Sequence, residues 1–343
     1  MTDQVAAAGA EQAKAKSWTA ILAEYREPSA LRSTFEIIVT VLPFIAFWAL
    51  AAVAVVHGYW WIGLILTVPA AGFLVRMFIL QHDCGHGSLF AQRGINDWTG
   101  RIVGVFTLTP YDYWRRTHAV HHASAGNLDR RGIGDVNTLT VREYQALSWW
   151  GKVRYRLYRH PLVMFGAGPA YLFICQYRLP IGLMRAGAHP WISTIATNLG
   201  IVVPVALMIW LIGLGPFLIV QIPVTLMAAT AGVWLFYVQH QFEHTHWSEE
   251  EDWTFQHAAL HGSSHYDLPL VMRWITGNIG IHHVHHLAAK VPFYRLPEVL
   301  RDHPDLRDIG RITFFESLRC VKLVLWDEKA KRLVSFRDAR AAA

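Results

Sequence analysis

Nineteen histidines stand in this chain of 343 residues, and their spacing is the feature through which it could do chemistry. His82 and His86 enclose Asp83-Cys84-Gly85. His118, His121 and His122 form an HxxHH group, and His282, His285 and His286 form another with His283 inserted. His240 and His244 are four residues apart, with His246 close behind. On a helix, residues at i, i+3 and i+4 share one face, so each group is expected to present two or three imidazoles to a common point. The eight histidines of the three main groups are too many for one tetrahedral or octahedral ion. Two metals with four or five nitrogens each fit better, with His240 or His244 as the ninth ligand.

Imidazole suits zinc, copper, iron and nickel alike. A hydrolytic zinc site takes three protein ligands and often a carboxylate base. Eight neutral nitrogens without Cys, beside a membrane, suit redox chemistry on an apolar substrate, and this reading favours iron. The spacing alone fits the other metals as well.

The elements that must position these groups are apolar. Hydrophobic residues make up 53% of the chain and charged residues 16%, well below the share usual in soluble domains. Four stretches, 37–56, 60–80, 191–212 and 216–238, are long enough to span a bilayer. Only His57-Gly58-Tyr59 separates the first two, and only Gly213-Leu214-Gly215 the last two, which forces two antiparallel hairpins. Both tight loops lack Lys and Arg, whereas the connection 93–190 carries Arg115, Arg116, Arg130, Arg131, Arg154, Arg156 and Arg159. The positive-inside rule places both termini and that connection in the cytoplasm. Every histidine group then falls on that same side. Arg76, late in the second span, is expected to snorkel to the cytoplasmic boundary. Residues 162–174 are too short to span and read as interfacial or re-entrant. Residues 312–336 read as an amphipathic helix.

Several classes are excluded. The net charge of +6 gathers beside the spans, and no basic run interleaves with aromatics as a nucleic-acid platform would need. Cys84, Cys175 and Cys320 are too few for an iron-sulfur cluster and form no disulfide framework. Residues 1–17 show no apolar core of a cleavable signal.

Around the groups, Asp83, Asn127 and Glu243 are candidates for orienting ligand rings through hydrogen bonds, or are caps and turns. Cys84 reads as a small buried residue pointing away from the metals. His283 lies off the helical face of its neighbours. His257, His261 and His265 read as a polar face near a substrate entrance, with a supporting role at the metals as the alternative. His57, His160, His189 and His303 read as structural.

The runs HDCGH, HAVHHASAGNLDRRGIGDV and HHVHHLAAKVPFYRLPEV resemble the three histidine boxes of the membrane fatty acid desaturase family, nearest its acyl-lipid Δ12 (omega-6) branch. The segment 233–243 and Gly277-Asn278-Ile279-Gly280 add to the match, which covers about residues 35 to 305. The resemblance implies an all-α integral membrane fold: four transmembrane helices in two hairpins, with a cytoplasmic helical cap carrying a histidine-rich dimetal site. It implies a cytoplasmic segment 1–33, a desaturase domain 34–311 and a C-terminal helix and tail 312–343. It implies iron ligation by His82, His86, His118, His121, His122, His282, His285 and His286, with His240 where a ligand outside the boxes is expected. His244 departs from the pattern, in which Asp is common there, and its ligand role is open. The cofactors implied are two non-haem iron ions with O2 as co-substrate, and no catalytic residue beyond the metal ligands.

The activity implied is oxygen-dependent introduction of a cis double bond into the acyl chain of a membrane lipid. An external electron carrier, a ferredoxin or small haem protein, would dock on the basic cytoplasmic face. A diiron alkyl or carotenoid hydroxylase or ketolase is the alternative, and a metal transporter a third, which would want ionisable groups inside its spans.

Overall fold

The computed structural model describes residues 18–132 and 134–341. Most of the N-terminal segment expected at 1–33 therefore lies outside the described residues. Helix α1 (Ala30–Val56) starts on Ser29, whose hydroxyl accepts the backbone N–H of Arg32 at 3.3 Å, an ordinary N-cap. A tight turn with Gly58 at φ 85° returns the chain into α2 (Trp60–His86), which ends at Gly87 in the left-handed conformation. Two shorter helices follow, α3 (Arg93–Phe106) and α4 (Tyr111–Ser124), then α5 (Trp149–Tyr158). The second hairpin joins α6 (Ala188–Ile212) to α7 (Leu214–His240) through Gly213 alone, at φ 85°. Two small helices, α8 (Phe255–His261) and α9 (His282–Leu287), complete the parts that concern the site.

Four of these helices, α1, α2, α6 and α7, are long and apolar enough to cross a membrane. Their outward faces are apolar: on α6, Val203 is 70% and Trp210 79% exposed, as lipid contact requires. α2 is the most buried of the four, packed between α1 and α7, whereas α6 rests on α3 and α4. α2 and α7 run past the expected spans to His86 and His240. The histidine groups thus ride on the last turns of these helices and on α4 and α9.

Residues 163–175 form an irregular helix of widened turns. It packs on α7, where the Thr230 hydroxyl donates to the Phe165 carbonyl at 2.7 Å.

Two expectations need correction. Arg76 is 1% exposed and does not snorkel. Its guanidinium pairs with Glu36 from α1, donates to Thr40 Oγ1 at 3.1 Å and to the Trp274 carbonyl, and lies 4.2 Å from the Trp274 ring centroid. A charge at that depth persists because it is paired and hydrogen-bonded. The C-terminal stretch is not one amphipathic helix. It holds strand β3 (Arg311–Thr313), a short helix Phe314–Ser317, and strands β4 (Leu325–Asp327) and β5 (Arg332–Val334). Asp327 breaks any helix there by accepting the backbone N–H groups of Lys329 and Ala330 at 2.9 and 3.0 Å, a turn-forming role typical of Asp. β5 then pairs antiparallel with β4, Trp326 opposite Leu333, and β4 pairs parallel with β1 (Leu139–Thr140). β2 (His265–Asp267) pairs parallel with β3. These short strands leave the fold helical in its architecture, as expected.

Candidate metal centre

Two helix ends and two short helices converge. His82 and His86 lie one turn apart at the end of α2, where the left-handed Gly87 stops the helix. His118, His121 and His122 project from α4, His240 is the last residue of α7, and His282, His285 and His286 fill α9.

Their ring nitrogens gather into two groups. His82, His86, His118, His122 and His285 form one, and His121, His240, His282 and His286 form the other, with the donor atoms of each group within 4.8 Å of one another. Each HxxHH group is therefore divided, against the expectation of a common point. The i, i+4 pair His118/His122 serves the five-histidine group while His121 turns to the other. The pair His282/His286 serves the four-histidine group while His285 crosses over. Residues three and four apart differ by about 100° around the helix axis, which is enough to aim His121 and His122 at different points.

Within the five-histidine group, Nε2 of His118 lies 3.1 Å from Nε2 of His86 and of His122, and His285 Nε2 lies 3.1 Å from His122 Nε2. In the other, Nε2 of His240 lies 3.1 Å from that of His121 and 3.0 Å from that of His282, with His286 3.1 Å from His282. The opposite ring edges are engaged elsewhere. Nδ1 of His121 donates to the Asp135 carboxylate, Nδ1 of His240 to the Gly262 carbonyl at 3.3 Å, and Nδ1 of His82 to Asp83 at 3.3 Å. Such contacts fix the tautomer that leaves an Nε2 lone pair aimed inward.

The donor set fits metal ions. Burial, reinforced by neighbouring imidazoles, pushes His118, His122, His282, His285 and His286 well below the usual histidine range, so the rings are neutral. Neutral rings with Nε2 lone pairs 3 Å apart repel unless a cation lies among them. Imidazole nitrogens about 2.1 Å from a metal are separated by about 3.4 Å at a tetrahedral angle and about 3.0 Å at a right angle. The closest pairs, 3.0–3.1 Å apart, suit nitrogens gathered around one ion, and all donors of a group lie within 4.8 Å of one another.

The two groups differ in surroundings. All four residues of the smaller group are buried, whereas His86, His118 and His122 of the larger are half-buried. Trp114 stacks on His118 with centroids 4.5 Å apart, and Phe78 meets Trp114 edge-on at 5.3 Å. The Phe236 ring lies 5.0 Å from His121 and 5.2 Å from His240. Apolar walls of this kind limit the access of water to the ring nitrogens.

Of the remaining candidates, Asp83 belongs to the site. One carboxylate oxygen faces His82, and the other accepts the backbone N–H of Phe293 at 2.7 Å, tying α2 to the segment after α9. Asn127 instead shapes a turn: its Oδ1 accepts from the backbones of Asp129 and Arg130, and its Nδ2 donates to Glu250 at 2.8 Å. His244 and Glu243 are exposed and belong to neither group. Because α7 ends at His240, the four-residue spacing to His244 is not helical and does not place it beside its partner. His283 Nε2 donates to the Leu306 carbonyl at 2.8 Å and is in neither group, and buried Cys84 is in neither. His257 and His261 lie on α8, the His257 ring 4.5 Å from those of both His246 and His261, and His265 faces the Arg307 carbonyl at 2.6 Å.

Asp135 is the residue the sequence reading missed. It follows Gly134, which has φ 76°, and a Cβ at Gly134 would lie 3.0 Å from the Thr117 carbonyl and 3.2 Å from His121 Cβ. Only glycine lets this loop close on α4 and bring the carboxylate to His121. The Gly-Asp pair ends the long run after the second histidine group, which is the signal that could have found it.

Residues 59–316 match the family described as fatty acid desaturase. A protein of Bacillus subtilis (strain 168) named "Fatty acid desaturase" is 44% identical over 324 residues, covering 94% of this chain and 91% of its own. An "sn-1 acyl-lipid omega-3 desaturase (ferredoxin)" of Synechocystis sp. is 28% identical over 295 residues, covering 81% and 76%. An "sn-1 oleoyl-lipid 12-desaturase" of the same organism is 24% identical over 242 residues, covering 65% and 63%.

Proposed function

Because this chain belongs to the fatty acid desaturase family, we propose that its two histidine groups hold two iron ions and that it introduces a cis double bond into the acyl chain of a membrane lipid. The observation that carries this reading is the convergence of nine imidazole nitrogens into adjacent sets of five and four. Iron bound there would supply, with dioxygen and two electrons, the oxidising power that an unactivated methylene demands. Overall, –CH2–CH2– with O2, two electrons and two protons gives –CH=CH– and two waters.

The side chains do the rest. His82, His86, His118, His122 and His285 would hold one ion, and His121, His240, His282 and His286 the other. Asp135, the Gly262 carbonyl and Asp83 keep three of the rings in the tautomer that binds metal. Phe78, Trp114 and Phe236 exclude water and offer an apolar surface against which an alkyl chain can lie. Both metal-bearing helix ends lie at the same end of their hairpins, and the density of Arg in the connection 93–190 supports a cytoplasmic site and cytoplasmic termini. The electrons come from an external one-electron carrier, and a ferredoxin fits the name of the Synechocystis relative. An acyl-lipid substrate fits the same relative, and double-bond placement at the Δ12 (omega-6) position is the reading of the resemblance, with the oleoyl-lipid relative in its favour.

The test is expression in a host that lacks polyunsaturated acids, with its fatty acids analysed by mass spectrometry. A new diene with the second bond at Δ12 supports the reading in full. A new double bond elsewhere corrects the position alone, and a hydroxylated or ketone product without new unsaturation overturns the reaction.

A further inference from the structure

The two histidine groups are not braced alike. Arg159 follows α5 directly and is 4% exposed. Its Nη2 donates to Tyr237 Oη at 3.0 Å, to Gln241 Oε1 at 3.1 Å and to the Leu323 carbonyl at 2.9 Å. Its Nη1 reaches Thr138 Oγ1 at 3.3 Å and the Asn137 carbonyl at 3.4 Å. Five neutral oxygens from three segments thus share one buried guanidinium, a fork that no lysine could replace.

Two arms of this fork end beside the four-histidine group. Gln241 is the residue after His240, and Tyr237 lies one turn before it on α7. Asn137 and Thr138 continue the strand of chain that carries Asp135, the carboxylate on His121 Nδ1. Thr138 Oγ1 and Gln241 Oε1 also meet directly at 3.2 Å, which closes the link between the Asp135 loop and the end of α7. The third arm anchors both to the C-terminal segment, where Tyr237 Oη donates to the Cys320 and Leu323 carbonyls at 3.1 and 3.0 Å. The five-histidine group is braced from another side, through Asp83 and Phe293.

From this asymmetry, and resting on the two-metal reading above, we infer that Arg159 is the positioning residue of the four-histidine site, holding His240 and the Asp135–His121 pair in register with His282 and His286. It touches neither metal nor substrate. Loosening the fork lets the α7 end and the Asp135 loop drift independently, so two of four ligands lose their aim while the other site keeps all five. Loss of such outer contacts weakens metal affinity by about 10–100-fold.

The experiment titrates the full-length metal-free chain in detergent with Co(II) and reads two equivalents by calorimetry. Wild type takes up two. Arg159→Met keeps one equivalent at wild-type affinity and binds the second about 10–100-fold more weakly, with Arg159→Lys between. Arg156→Met, whose guanidinium serves Tyr144 and Phe336 instead, binds as wild type does. Should Arg159→Met not fold, Gln241→Met and Thr138→Val each cut one arm and are expected to weaken the same equivalent. Two unchanged equivalents in these variants, or both weakened alike, overturn the inference. A wild-type chain that takes up fewer than two overturns the two-metal reading instead.

Discussion

The Asp135 carboxylate accepts a hydrogen bond from Nδ1 of His121, across a loop that only Gly134 can close. The contact leaves His121 Nε2 free to face His240 Nε2 at 3.1 Å. Among the described residues, it is the one carboxylate that the histidine groups of the sequence do not contain and that contacts a ring of the site.

Asp135→Asn keeps the shape of this contact but lets the amide donate, which favours the wrong tautomer. The expected outcome is about 10–100-fold weaker binding of one metal equivalent and a matching loss of product, read by metal titration and fatty acid analysis. Unchanged binding would show that His121 is held by its packing alone.

His240 and His244 separate two roles that spacing left open. His240→Ala removes a buried member of the four-histidine group and is expected to abolish product, whereas His244→Ala, on an exposed turn, is expected to leave it within a factor of two. Equal losses in both variants would return His244 to the site.

How much of this could be read in advance follows from where periodicity holds. All nine histidines lie on helices or at helix ends, so local spacing exposed them. How they divide into five and four depends on the direction from which α2, α7 and α9 approach α4, which no local spacing encodes. Glu36, the partner of Arg76, and Arg159, the partner of Gln241, were invisible for the same reason, each lying 40 and 82 residues from its partner. The strands β4 and β5 were hidden because each is three residues long and gains its stability from pairing rather than from an apolar pattern of its own.

The pair Glu36–Arg76 is buried on both sides, with side chains 2% and 1% exposed. Removing Arg76 strips Glu36 of its buried partner and leaves it only the exposed Arg32, whose Nη2 lies 2.7 Å from Glu36 Oε1, at a cost of up to about 3–5 kcal/mol. Arg76→Met is therefore expected to lower the unfolding midpoint in detergent steeply, and Glu36→Gln/Arg76→Met less than Arg76→Met alone. A double variant as unstable as the sum of the single ones would deny the pairing.

Acid should loosen the metal-free protein. Burial holds His118, His122, His282, His285 and His286 well below the ordinary 6.5, and His283 is pushed down to about 3 by burial with His265 nearby. The folded chain thus binds fewer protons than the unfolded one below that ordinary value. Its stability is full above about pH 6.5 and is lost as pH falls toward the folded values. Denaturant midpoints of the metal-free chain are expected to be level at neutral pH and to fall in mildly acidic buffer. A midpoint that rises on acidification would mean the rings are charged in the fold.

Every role assigned above depends on nine imidazoles binding two redox metals. Native mass spectrometry of the chain, purified under mild conditions from an iron-replete host and compared with its chelated form, reads this directly. A mass increment of two iron ions per chain is expected. A single ion, or two zinc ions in a preparation that still desaturates, would contradict it.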